Sequence, residues 1–178
     1  GIINYDESVD GDLSANIFSM DTSGINSFSG SRSVNIFNSK INIDHDVFYF
    51  ELGSDLQIDS ISFSFDLTRN ENLSSALFSA SLATSNNYAD VFRKHYVIEG
   101  TGFGSADVDK TPLGADRYVF GIGGGYKPSD YSLPSVLAFD WNLSLRVSEK
   151  NSGSVDVPEP SSLALLGLGL VLLLRVRT

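Results

Sequence analysis

The stretch Val136-Leu137-Ala138-Phe139-Asp140-Trp141-Asn142-Leu143-Ser144-Leu145-Arg146-Val147 decides the fold class. Trp141, Leu143, Leu145 and Val147 alternate with Asn142, Ser144, Arg146 and Ser148. A period of two puts one set on each face of a β-strand, with the apolar set toward a core. Trp141 belongs to that apolar set, so it reads as core rather than as a platform for a sugar ring. The same period recurs upstream. Phe48, Phe50 and Leu52 alternate with Val47, Tyr49 and Glu51, and Ile61, Phe63, Phe65 and Leu67 alternate with Ser62, Ser64 and Asp66. Gly53-Ser54-Asp55 between these two runs is a turn signal, which predicts an antiparallel hairpin.

Weaker strand patterns cover residues 31–37, 77–83, 94–99 and 117–122. A helix competes over 73–82, and strand is preferred because the neighbours are strands. Residues up to Gly30 are rich in Ser, Asn, Asp and Gly and read as loop with at most short strands. Residues 100–116 and 123–134 read as further loops. The sum is an all-β fold, an antiparallel sandwich or jelly roll of about seven to nine strands. No internal repeat is present.

A chain of 178 residues suits one domain and a tail. The expected division is a β-sandwich over 1–150, a Ser/Gly/Pro linker over 151–160 and an apolar segment with a basic end over 161–178. Cysteine is absent, which excludes a disulfide framework and thiolate metal sites. The formal charge of −10 argues against nucleic acid as a partner. Gly1 in place of methionine predicts a missing N-terminal segment such as a signal peptide.

The linker closes on Pro158-Glu159-Pro160. Apolar or glycine residues then run unbroken from Leu163 through Leu166 and Leu170 to Leu174, and Arg175 and Arg177 follow. As a helix, residues 163–174 span about 18 Å at 1.5 Å per residue, short of a bilayer core of about 30 Å. Local thinning and arginines reaching the head groups would meet the mismatch. The arginines also fit the positive-inside rule, with the domain outside.

This order resembles the PEP-CTERM sorting signal of Gram-negative bacteria, which has a Pro-Glu-Pro motif, a short hydrophobic helix and a basic end. The resemblance covers about the last twenty residues. It implies export across the inner membrane and transient anchoring there by the C-terminal helix. The tail is then processed by the membrane peptidase exosortase, and the protein passes to the cell surface or to an extracellular matrix of biofilm and exopolysaccharide. A fainter resemblance links the 5–14 and 44–50 blocks to β-rich exported domains and to bacterial pre-peptidase C-terminal domains. It favours the sandwich more than any ligand; some domains of that kind bind calcium and matrix polymers.

Few residues carry chemistry of their own. Asp6, Asp10 and Asp12, with Glu7 between them, offer oxygens of the kind calcium takes, and Asp44 and Asp46 would join them if the N-terminal segment packs nearby. The alternative is a solvated acidic loop whose aspartates serve turns. Asp107, Asp109 and Asp116 make a weaker set. His45 and His95 have no helpful spacing, and the 121–125 run GIGGG lacks the lysine–hydroxyl pair of a phosphate loop, so it reads as a turn or bulge. Tyr126 and Tyr131 are placed in a loop, free to bind. No nucleophile elbow or triad spacing points to catalysis. The expected role is therefore that of a non-catalytic sorted protein, with a calcium-dependent carbohydrate- or matrix-binding module as the alternative.

Overall fold

The computed structural model describes residues 1–150 apart from 15, 39, 44–45, 87–89, 99–101, 108–111 and 131. Eleven strands and one helical turn follow in order: β1 Asn4–Asp6, α1 Glu7–Asp10, β2 Ile17–Met20, β3 Gly24–Phe37, β4 Lys40–Ile43, β5 Val47–Leu52, β6 Leu56–Glu71, β7 Leu73–Thr84, β8 Asp90–Ile98, β9 Gly102–Asp107, β10 Arg117–Pro128 and β11 Ser135–Glu149. One sheet has the order β1-β3-β11-β6-β9, with β4 also on β3; the other has the order β2-β5-β10-β7-β8. Without the three short strands β1, β2 and β4, each sheet holds four strands. Their orders are those of two Greek keys wound into a jelly roll. The added strands account for the excess over the expected seven to nine.

The alternating residues of 136–147 do what their period requires. Leu137, Phe139, Trp141, Leu143, Leu145 and Val147 are all buried, and Asp140, Asn142, Ser144 and Arg146 lie on the opposite face. β11 is the hub of its sheet, paired with β3 along one side and β6 along the other. Rings from both sheets mesh between the layers. Phe48 of β5 stacks on Trp141 of β11 at 6.3 Å and lies 4.6 Å from Phe28 of β3, and Phe63 of β6 lies 5.8 Å from Phe120 of β10. Such aromatic pairs add roughly 0.5–1.5 kcal/mol each beyond the area they bury.

Several expectations are corrected. The two phenylalanine runs do not form a hairpin. β5 lies in one sheet and β6 in the other, so residues 53–55 turn a corner between layers. The period of two fixes which residues face inward but carries no information about which strand lies alongside. The loop assigned to 100–116 contains β9, which pairs with β6 at the sheet edge. The first long strand begins at Gly24 rather than at 31, because short serines and glycines can occupy an outer sheet face as easily as a loop. The sheets are mixed, since β1 joins β3 and β2 joins β5 in parallel. Strand, not helix, is confirmed for β7.

The glycine run is neither turn nor bulge. Residues 121–125 continue β10 in unbroken register with β7, from Gly121 opposite Ser81 to Gly125 opposite Leu77. Gly121 and Gly123 have space for a Cβ, the nearest atoms being 3.4 and 3.6 Å away. Gly124 does not: a Cβ there would meet the Leu77 carbonyl at 2.6 Å and the Tyr126 hydroxyl at 2.7 Å.

Residues 4–20 form a strap across one side of the sandwich. β1 is added to one sheet and β2 to the other, and Leu13 and Met20 between and beside them are fully buried. The strap is pinned by Glu7, whose Oε1 accepts the Leu13 amide at 3.0 Å. Its carboxylate lies over Gly30, where a Cβ would sit 2.1 Å from Oε2, so any larger residue there would have to displace the carboxylate.

Candidate functional site

Two regions were expected to carry function, the acidic N-terminal segment and the C-terminal tail. In the first, the aspartates serve the local backbone. Asp6 Oδ1 accepts from the Ser8 amide at 2.9 Å and its hydroxyl at 2.7 Å, capping α1. Asp10 Oδ2 accepts the Asp6 amide at 2.9 Å, and Asp12 Oδ1 accepts the Ser14 amide at 2.7 Å. The bonds from Ser8 hold the Asp6 carboxyl below the ordinary carboxylate range, and those from Ser14 do the same for Asp12. These are the turn roles that aspartate takes in loops.

Asp46 is elsewhere in purpose. It is 1% exposed, and its Oδ2 accepts the indole N–H of Trp141 at 2.7 Å while its carbonyl accepts the Ile122 amide. Strand alternation had shown that Trp141 is buried, but not that its N–H would need an acceptor, which Asp46 supplies. Asp44 and His45 lie outside the described residues. Among the described residues no three His, Cys, Asp or Glu side chains come together as a metal site would need. A cleft of about 640 Å³ beside the strap is lined by Asp6, Glu7, Asp12, Asp140 and the edge of Trp141. Asp140 is engaged there by the Ser31 hydroxyl at 2.5 Å.

The remaining candidates are dispersed. His95 is exposed on β8, and Asp116 accepts from the Arg117 amide at 2.7 Å. Asp107 ends β9, while Asp109 and Tyr131 lie outside the described residues. Tyr126 is on β10 rather than in a loop and is half-buried; burial pushes its hydroxyl above the ordinary value, with Arg32 acting in the opposite direction. Arg32 itself is 2% exposed, and its Nη1 donates to the Ile122 carbonyl, tying the two sheets together. Nothing in the sequence points to this, because an arginine in a Ser/Asn-rich strand reads as surface.

The second region begins where β11 ends. After Glu149 the chain is clamped at Lys150, a residue that sequence reasoning passed over. Its amide donates to the Asp55 carbonyl at 2.7 Å, and its Nζ donates to the Ser54 carbonyl at 2.6 Å. Both acceptors belong to the corner between β5 and β6, so the tail leaves from a defined place. Pro158, Glu159, Pro160, Leu163, Leu166, Leu170, Leu174, Arg175 and Arg177 lie outside the described residues. Among the described residues no helix is long and apolar enough to cross a membrane.

The sequence of the tail decides the matter instead. Residues 156–177 match the family model of the PEP-CTERM protein-sorting motif. The chain carries a PEP-CTERM sorting motif. Such a motif marks an exported protein that exosortase processes in association with the membrane. No curated protein matches the chain. Among solved structures the chain is similar to a CBM4 structure, with 7% identity, a TM-score of 0.34 and coverage of 62% of this chain and 69% of that one. The Family 11 carbohydrate-binding module from Clostridium thermocellum, in complex with a mixed-linked tetrasaccharide, has 14% identity, a TM-score of 0.25 and coverage of 68% and 88%. The BFDV capsid protein has 10% identity, a TM-score of 0.36 and coverage of 73% and 100%. Likeness at this level carries no argument about ligand or partner.

Proposed function

We propose that this protein is a non-catalytic jelly roll of the cell surface or extracellular matrix, delivered there by its PEP-CTERM tail. The tail would act as an address in three steps. Residues 161–176 insert as a short helix, with Arg175 and Arg177 at the cytoplasmic face. Exosortase recognises the region of Pro158-Glu159-Pro160. Cleavage then frees the domain, with exopolysaccharide of the matrix as its surroundings. In this reading the tail is a substrate and performs no chemistry. The match of the sorting motif to residues 156–177 carries the reading. The engagement of the N-terminal aspartates in turns and caps supports a structural role for that segment over a calcium site.

The test replaces Pro158, Glu159 and Pro160 by alanine in the full chain, expressed beside the processing peptidase. The expected result is an unprocessed protein retained in the membrane fraction. Unchanged mass and unchanged release would contradict it.

A further inference from the structure

The Lys150 clamp fixes more than the end of a strand. Its two bonds to residues 54 and 55 set the point from which the tail departs, and only residues 151–157 separate it from Pro158. Fully extended chain covers at most about 3.6 Å per residue, so the eight steps from Lys150 to Pro158 reach no more than about 29 Å. Part of that reach is consumed inside the cleft of whatever enzyme holds the Pro-Glu-Pro segment. Even a folded domain of about 100 residues has a radius of gyration of about 13 Å. An enzyme bound to Pro158 therefore has little room to stand clear of the sandwich.

β11 has 15 residues, and at about 3.3 Å per residue it spans roughly 46 Å. Its start, next to residues 129–134, is thus farther from the clamp than the tether can reach. The near end carries an open cleft of about 810 Å³ lined by Asp21, Gly53, Asp55, Leu56, Glu149 and Lys150. The same rim holds three carboxylates, Asp21, Asp55 and Glu149, beside the Lys150 clamp.

We propose that this end of the sandwich, the corner of residues 53–56 with Asp21 and Glu149, is the surface that meets the processing peptidase while the tail is in its active site. The inference rests on the exosortase reading of the tail and adds to it the orientation of the folded domain. The enzyme's substrate would then be the tail together with a body held within the short reach of the tether.

The chain has no cysteine, so single-cysteine variants report one position each. Asp55→Cys places a probe at the near end and Ser132→Cys places one beyond the far end of β11, both at exposed positions. Each full-length variant, labelled with a short photoreactive group, is activated in membranes containing the peptidase. The expected result is a peptidase adduct from residue 55 at least several-fold above that from residue 132. Inserting a long Gly/Ser spacer after Lys150 should abolish the difference while processing continues. Equal adducts from both positions, or lipid adducts alone from residue 55, would overturn the proposal. If the parent chain is neither membrane-retained nor processed, the exosortase reading itself fails, and that outcome is seen before any crosslink is made.

Discussion

Gly104 on β9 lies opposite Phe65 on β6, and the Phe65 ring covers it. A Cβ at position 104 would sit 2.2 Å from Phe65 Cε1 and 2.3 Å from Cζ. The shortest ordinary contact is 3.4 Å, so Gly104→Ala requires the ring to withdraw by about 1.2 Å. The ring has nowhere easy to go. Tyr96 meets it edge-on at a centroid distance of 4.7 Å, and Phe139 and Phe63 stand at 6.3 and 6.4 Å. Overpacking of this kind costs about 1–3 kcal/mol. Relief from the glycine's excess unfolded-state freedom returns about 0.5–1 kcal/mol. The mid-range difference, roughly 1–1.5 kcal/mol, should lower Tm by about 2–6 °C in a domain of this size. Thermal unfolding of the full chain can be followed by the fluorescence of Trp141, the only tryptophan. Phe65→Leu in the same background should remove much of the penalty, a coupling expected only if the two residues collide. A Tm unchanged within one degree, or a penalty equal in both backgrounds, would refute the steric account.

Three other outcomes follow from the same structure. Gly123→Ala should stabilise the domain by about 0.5–1 kcal/mol, while Gly124→Ala, blocked by the Leu77 carbonyl, should destabilise it; opposite shifts in the urea midpoint are the check. Trp141→Phe removes one donor to buried Asp46 and should cost about 1–3 kcal/mol, read by far-ultraviolet circular dichroism because the fluorophore is lost. Burial pushes Tyr96 and Tyr118 up to about 12 from an ordinary value of 10, with Asp116 adding to the shift at Tyr118. The fold favours their neutral forms, so this contribution is complete below about pH 10 and is lost as pH rises toward 12. Tyrosinate absorbance should lag that of the unfolded chain, and Tm should fall over that interval.

The parts of this fold visible in the sequence are those where a side chain must choose between core and water. Phe48, Phe50, Phe63, Phe65 and the 136–147 run had to alternate, and the structure buries them accordingly. Strand partnership was not visible, since pairing is made by backbone groups that every residue shares. For that reason residues 53–55 read as a hairpin turn and proved to be a corner. The outer strands were hidden because serine, glycine and asparagine are common to loops and to exposed sheet faces, as β3 and β9 both show. Of the functional regions, the sorting tail was legible because it is local: its order of motif, apolar run and basic end is the signal. Lys150 was not, because its role depends on carbonyls nearly a hundred positions away in the chain.

The strap formed by residues 4–20 bears on how copies of this protein tolerate one another. β1 and β4 cover the free side of β3, and β2 covers that of β5, so both layers are shielded along the same flank. An uncovered strand is a template onto which another chain can add. In a chain without cysteine, short added strands of this kind are one device that keeps neighbours from zipping together. The parallel joins at β1 and β2 thus serve as insulation. Losing the strap, by proteolysis or by displacement of Glu7 from Gly30, would uncover much of the free sides of β3 and β5 at once and add two longer edges to those that β8 and β9 already present among the described residues.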